Sequence, residues 1–194
     1  MTAVLAEGIL IRLRKSANVV RSPDAALSYC ELTKSKMPIL KLETIINSEI
    51  EICFDLSRSI DLHKISTAQT NEKAIAGRIS GLINLNEFVT WEATHFGITQ
   101  KLSSKITAYQ RPLHFRDEQI KGAFKYIIHD HYFERKNGKT IMTDIFDFEA
   151  PFGFIGKIVS KSILSKHLQQ LLEKRNITIK EFAESDKWKS VIPC

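Results

Sequence analysis

From Glu87 to Ala150 apolar and polar residues alternate with the period of two that marks half-buried β-strands. A two-residue turn at Phe96-Gly97, with glycine supplying a positive φ, registers the first hairpin. It sets Val89, Trp91, Ala93 and His95 opposite Ser104, Leu102, Gln100 and Ile98. The other face then pairs Phe88 with Lys105, Thr90 with Ser103, Glu92 with Lys101 and Thr94 with Thr99, which are pairs a solvated face favours. Asn137-Gly138 is a type I′ signal and registers a second hairpin, with Lys136 opposite Lys139. That register places Phe133 opposite Met142, His131 opposite Asp144 and His129 opposite Phe146. Phe133, Met142, Phe146 and Phe148 mark this face as the inner one, so His131 and Asp144 are expected as buried neighbours. Between the hairpins Phe115, Asp117 and Gln119 share a face. A two-residue turn at Lys121-Gly122 would put Tyr126 and Ile128 on that same face, against the second hairpin. A β-bulge between Gly122 and Ile127 is therefore expected.

Upstream, Ile39 to Ile46 alternates as a strand. Ser48 with Glu51 reads as a capping box for a helix over 49–57 that buries Ile50, Cys53, Phe54 and Leu56. Asp61 to Ile65 predicts a second short helix and Glu72 to Ala76 a short strand. Residues 77–86 have no clear period and read as a segment over a cavity mouth. Beyond Ala150-Pro151-Phe152-Gly153, Ile155, Ile158, Val159, Ser162, Ile163, Leu168, Leu171, Leu172 and Ile179 recur at three- and four-residue spacing. That pattern predicts an amphipathic helix of about 30 residues. Lys157, Lys161, Lys166, Glu173, Lys174 and Arg175 form its solvated side.

The chain of 194 residues suits one domain, expected over 37–184. Residues 1–36 differ in character and are expected to be a poorly ordered extension, or an upstream start ahead of Met37. Residues 185–194 read as a polar tail. The net charge of +6 does not point to nucleic acid. Six Lys/Arg against three Asp/Glu lie in residues 1–36, leaving 22 against 19 in the remainder. No apolar run approaches the roughly 20 residues of a membrane span, so no integral membrane association is expected. Cys30, Cys53 and Cys194 are widely spaced and lack CxxC, which speaks against a disulfide framework or zinc knuckle. A reducing cytoplasm is the default setting. There is no GxSxG, phosphate-cradling loop, HExxH or dinucleotide fingerprint.

Strand, two short helices, antiparallel strands and one long helix form the element order of the helix-grip fold. The chain from about Met37 to Glu184 resembles the SRPBCC superfamily of START domains, plant pathogenesis-related allergens, polyketide cyclases and coenzyme Q-binding START-like proteins. The resemblance is carried by residues 42–46, Val89 to Gly97, Arg111-Pro112, Phe115 to Gln119 with Gly122 and Phe124, His129 to Phe133, and Phe148 to Gly153. The same motifs look similar to a bacterial branch sometimes labelled cell-division-inhibitor-like. The resemblance implies an α+β fold in which a curved antiparallel sheet of about six to seven strands wraps a long C-terminal helix. It also implies a cavity between them, walled by Leu42, Trp91, Leu102, Phe115, Phe133, Met142, Phe146, Ile155, Val159 and Ile163.

If the registers hold, His95, Gln100, Asp117, Gln119, His129, His131 and Asp144 all project inward. Burying seven polar side chains is costly unless they bond one another, water or a ligand. The leading expectation is a binding or carrier module for a small hydrophobic or amphipathic molecule, of lipid, quinone or polyketide type. In it, the polar groups form an internal network or anchor the ligand, with no cofactor or metal. The enzyme alternative is a cyclase- or aromatase-like catalyst. There, Asp144 orients His131 as a general base, with His129 nearby. Two histidines at i, i+2 and a carboxylate on the next strand also have the chemistry of a divalent-metal site. A third alternative is an interaction module with a filled cavity. His63, His114 and His167 are read as surface residues without a role.

Overall fold

The computed structural model describes residues 39–150 and 161–192. Strand β1 (Leu40–Ile46) leads into helices α1 (Ile50–Ser57) and α2 (Ile60–Ser66) and a single 3₁₀ turn (Ala68–Thr70). Strands β2 (Lys73–Gly77), β3 (Phe88–His95), β4 (Ile98–Gln110), β5 (His114–Lys121), β6 (Tyr126–Lys136) and β7 (Lys139–Glu149) follow. Helix α3 (Lys161–Ala183) and a second 3₁₀ turn (Asp186–Ser190) complete the described chain. The seven strands form one antiparallel sheet in the order β1-β7-β6-β5-β4-β3-β2. This is the helix-grip arrangement of curved sheet, two short helices and long C-terminal helix.

Both tight hairpins form in the expected registers. Val89 to His95 pair with Ser104 to Ile98, and His131 lies opposite Asp144. At each turn two consecutive residues take a positive φ, 52° and 75° at Phe96 and Gly97 and 51° and 73° at Asn137 and Gly138. Such turns match the right-handed twist of the strands they join. The link from β5 to β6 differs from expectation. It is a four-residue connection, Gly122 to Lys125, so Phe115 pairs with His131 and Asp117 with His129 without a bulge. The irregularities that curve the sheet lie elsewhere: two in the β4–β5 pairing, at Ser103/Ser104 and Ile106/Ala108, and one in β2 at Ala74/Ala76. Gly122 lets Gln119 and Leu102 come close at the link, since a Cβ there would stand 2.7 Å from Gln119 Oε1 and 2.9 Å from Leu102 Cδ1 and displace those side-chain ends.

The main core gathers under α1. Phe54 is fully buried and meets Tyr109, Phe115 and Phe133 edge-on, with ring centroids 5.3–5.4 Å apart. Ile50, Cys53 and Leu56 are buried on the same side, as the apolar spacing required. Burial pushes the Cys53 thiol up to about 11. The cap of α1 is Glu49 rather than Ser48, and no side chain bonds it. The Ser48 carbonyl instead accepts from the Thr140 hydroxyl at 2.7 Å and from the Arg135 guanidinium. Helix α2 starts one residue before its expected span, where the Ser59 hydroxyl accepts from the Leu62 N–H.

Helix α3 packs against β1, α1 and α2. Asn176 Nδ2 donates to Asp144 Oδ2 at 2.7 Å and Thr44 Oγ1 at 3.2 Å, and Lys180 Nζ reaches the Ile45 carbonyl at 2.8 Å. The expected wall residue Ile163 is instead exposed, and Ile155 and Val159 lie outside the described residues. Residues 185–192 do not behave as a polar tail. Val191 and Ile192 are buried in the main core, and the Ser59 hydroxyl donates to the Val191 carbonyl. Among the described residues no helix is long and apolar enough to cross a membrane.

Candidate functional site

The inner face of the sheet and the facing side of α3 enclose a cavity of about 220 Å³. Alternation along the strands aims the side chains of one face into it. Strands β3 and β4 contribute Trp91, His95, Gln100, Leu102, Ser104 and Ile106. Strand β5 supplies Phe115, Asp117 and Gln119, and β6 and β7 supply His129, His131 and Phe146. From α3 come Leu164, His167, Leu168, Leu171, Leu172 and Arg175. Ten of the expected site residues thus meet at one cavity. Phe133, Met142 and Asp144 do not line it. Phe133 packs on Phe54, and Met142 is fully buried, with its sulfur 3.3 Å from the Ser57 hydroxyl.

Asp144 lies behind the histidines and organises them. Its Oδ1 accepts from His129 Nε2 at 3.0 Å and stands 2.7 Å from His131 Nδ1, while Oδ2 accepts from Asn176. The His131 contact is short but not aligned as a hydrogen bond, whereas that of His129 is. His131 stacks on Phe115 at 4.2 Å and lies 3.8 Å from the His129 ring. Burial, reinforced by His129, presses His131 well below the usual imidazole range. Burial acts to raise Asp144, but the contacts from His129 and His131 prevail and hold it well below the carboxylate range. The three donor groups lie within 4.8 Å of one another, close enough for a metal ion. Asp144, however, already meets His129, His131 and Asn176 with its two oxygens, so the set reads as a buried polar cluster organised by the carboxylate.

Several cavity residues carry no signal in the alternation pattern. His63 and His167 are not idle surface groups. His63 stacks on Trp91 with centroids 4.2 Å apart and stands 3.4 Å from Glu72, and His167 Nε2 lies 3.1 Å from His95 Nδ1. Burial acts to raise Glu72, but the charge and hydrogen bond of His63 outweigh it, so its pKa falls. His114 stays on the outer side of the sheet, where its Nε2 meets Asp130 at 2.7 Å. The largest departure is Arg175. Expected on the solvated side of α3, it points into the cavity and donates to the Ser57 carbonyl. Burial lowers its pKa, while Asp144, Asp117 and Glu72 act to hold its charge. Asp117 faces the same space, and burial raises its pKa, against the hydrogen bond of Ser104. Helical spacing could have found Arg175, since it follows Leu164, Leu168 and Leu172 by steps of four, four and three.

No protein-family model and no curated protein matches the sequence. Solved structures do match. A protein of Thermus thermophilus superposes with a TM-score of 0.59 at 13% identity, covering 75% of this chain and 99% of the other. Major latex-like protein 151 of Panax ginseng gives 0.56 at 16%, covering 76% and 98%. A START superfamily protein of Mycobacterium smegmatis gives 0.55 at 9%, covering 74% and 98%. The chain therefore has the helix-grip fold of START-like proteins, and the resemblance to the SRPBCC superfamily holds at the level of fold. Nothing in these likenesses supports the cell-division-inhibitor label.

Proposed function

We propose that the protein binds and carries a small amphipathic molecule in the cavity between sheet and α3. The observation that carries this reading is a cavity between sheet and helix whose exposed wall is mainly apolar and into which polar side chains of both converge, which is the character of a small-molecule site. The fold supports it only as a prior, because one fold hosts many functions. A lipid, quinone or polyketide-like molecule suits the aromatic and leucine walls. The buried free thiol of Cys53 suits a reducing, cytoplasmic setting.

Catalysis is the weaker reading. A general base near neutral pH needs an aligned orienting bond and an accessible nitrogen, whereas His131 is 1% exposed and its Asp144 contact is off axis.

An apolar naphthalene-type fluorophore titrated into folded protein is expected to bind once per chain and be displaced by lipophilic competitors. Leu172→Trp places a large side chain in the cavity and should weaken that binding tenfold or more, at a stability cost of about 1–3 kcal/mol. Unchanged affinity in a folded Leu172→Trp variant would contradict the cavity as the binding place.

A further inference from the structure

Among the described residues, Arg175 is a cation without a counter-ion in contact. Among the described residues no carboxylate lies within ion-pair distance of its guanidinium, and its one hydrogen bond goes to the neutral Ser57 carbonyl. A guanidinium carries five N–H donors in a planar fork, so most of its donor capacity is left unused among the described residues, beside a cavity that it lines. Half-buried as it is, such a group is costly to withdraw from water unless something of opposite charge meets it. The three nearby carboxylates are committed or distant. Asp144 is engaged with His129, His131 and Asn176, and Glu72 with His63, and burial raises the pKa of Asp117.

Geometry along α3 orients what would fill this gap. Leu164, Leu168, Leu172 and Arg175 make one stripe facing the cavity, extending about 16 Å along the helix axis. The stripe is apolar until it ends at the guanidinium. Across from it stand Leu102 and Phe146. A molecule lying along this stripe meets apolar wall along its length and a planar cationic fork at its end.

Resting on the carrier reading above, we propose that the ligand is an amphiphile with a single-charged carboxylate head. Its head group pairs with Arg175, and its apolar body lies against Leu172, Leu168 and Leu164. A carboxylate matches the guanidinium fork in two parallel hydrogen bonds. A doubly charged phosphate matches less well, because the carboxylates of Glu72 and Asp144 act on the same guanidinium and would repel the second charge.

The test is isothermal titration of the full chain at pH 8 with three probes of equal chain length: dodecanoate, 1-dodecanol and dodecyl phosphate. The expected result is dodecanoate binding about tenfold or more tighter than dodecanol, and tighter than dodecyl phosphate. Arg175→Met should bring the carboxylate-to-alcohol ratio near unity while alcohol binding is retained. Arg175→Lys, which keeps the charge without the planar fork, should retain part of the preference. The wild-type ratio needs no variant to fold. Equal binding of dodecanol and dodecanoate would overturn the head-group assignment and leave the carrier reading standing. Tighter dodecyl phosphate would overturn the single-charge argument. Failure of all three probes to bind would overturn the assignment and count against the carrier reading too.

Discussion

His131 shows most directly how burial dictates chemistry at single side chains. It is held neutral in the fold because charging it would desolvate a cation beside His129. In the unfolded chain it titrates near the ordinary value of about 6.5. Below that pH the unfolded state binds a proton that the folded state refuses, so stability falls as pH drops, by at most about 1.4 kcal/mol per pH unit for this group. Urea unfolding between pH 8 and pH 5 measures it. His131→Phe, which keeps the stacking on Phe115, should show a shallower decline over that window. An unchanged slope in the variant would assign the decline to other groups. Arg175 makes the converse point. Burial lowers its pKa, and the carboxylates around the cavity act against that without reversing it.

Strands were legible where turn chemistry and alternation agreed. Phe96-Gly97 and Asn137-Gly138 each demand a positive φ, and each pins a register that carries every side chain of its hairpin to the correct face. The β5–β6 link was not legible, because Gly122 matters there for contact with Gln119 and Leu102 rather than for its backbone angle. Charge misled in α3. Arg175 sits in a basic run beside Glu173 and Lys174, and only its spacing from Leu172 distinguishes a cavity residue from a solvated one. His63 and His167 belong to short or distant elements that no strand register reaches. At the edge of the sheet, Gly77 has a φ of 75° and a Cβ there would stand 2.1 Å from the Phe88 carbonyl oxygen. Gly77→Ala must therefore disturb the β2–β3 pairing, with an expected loss of about 1–3 kcal/mol in thermal or urea unfolding. A variant as stable as wild type would show that this edge tolerates a different backbone path.

On the scale of the whole molecule, the C-terminal half of α3 is tied to the sheet through Asn176 and Lys180, and the leucine stripe ahead of it forms one wall of the cavity. A domain built this way buries its main core under α1 and leaves a second, smaller apolar cluster around Phe146, Phe148, Leu164 and Leu172 beside the cavity. A ligand that fills the space adds stability by mass action, about 2.7 kcal/mol at a concentration one hundred times its dissociation constant. The most direct test of a carrier role is native mass spectrometry of protein purified gently from its own host, followed by organic extraction. One amphipathic molecule per chain, released on denaturation, is the predicted result. Protein that is repeatedly empty, and shows no thermal shift across a library of lipophilic acids, alcohols and quinones, would contradict it.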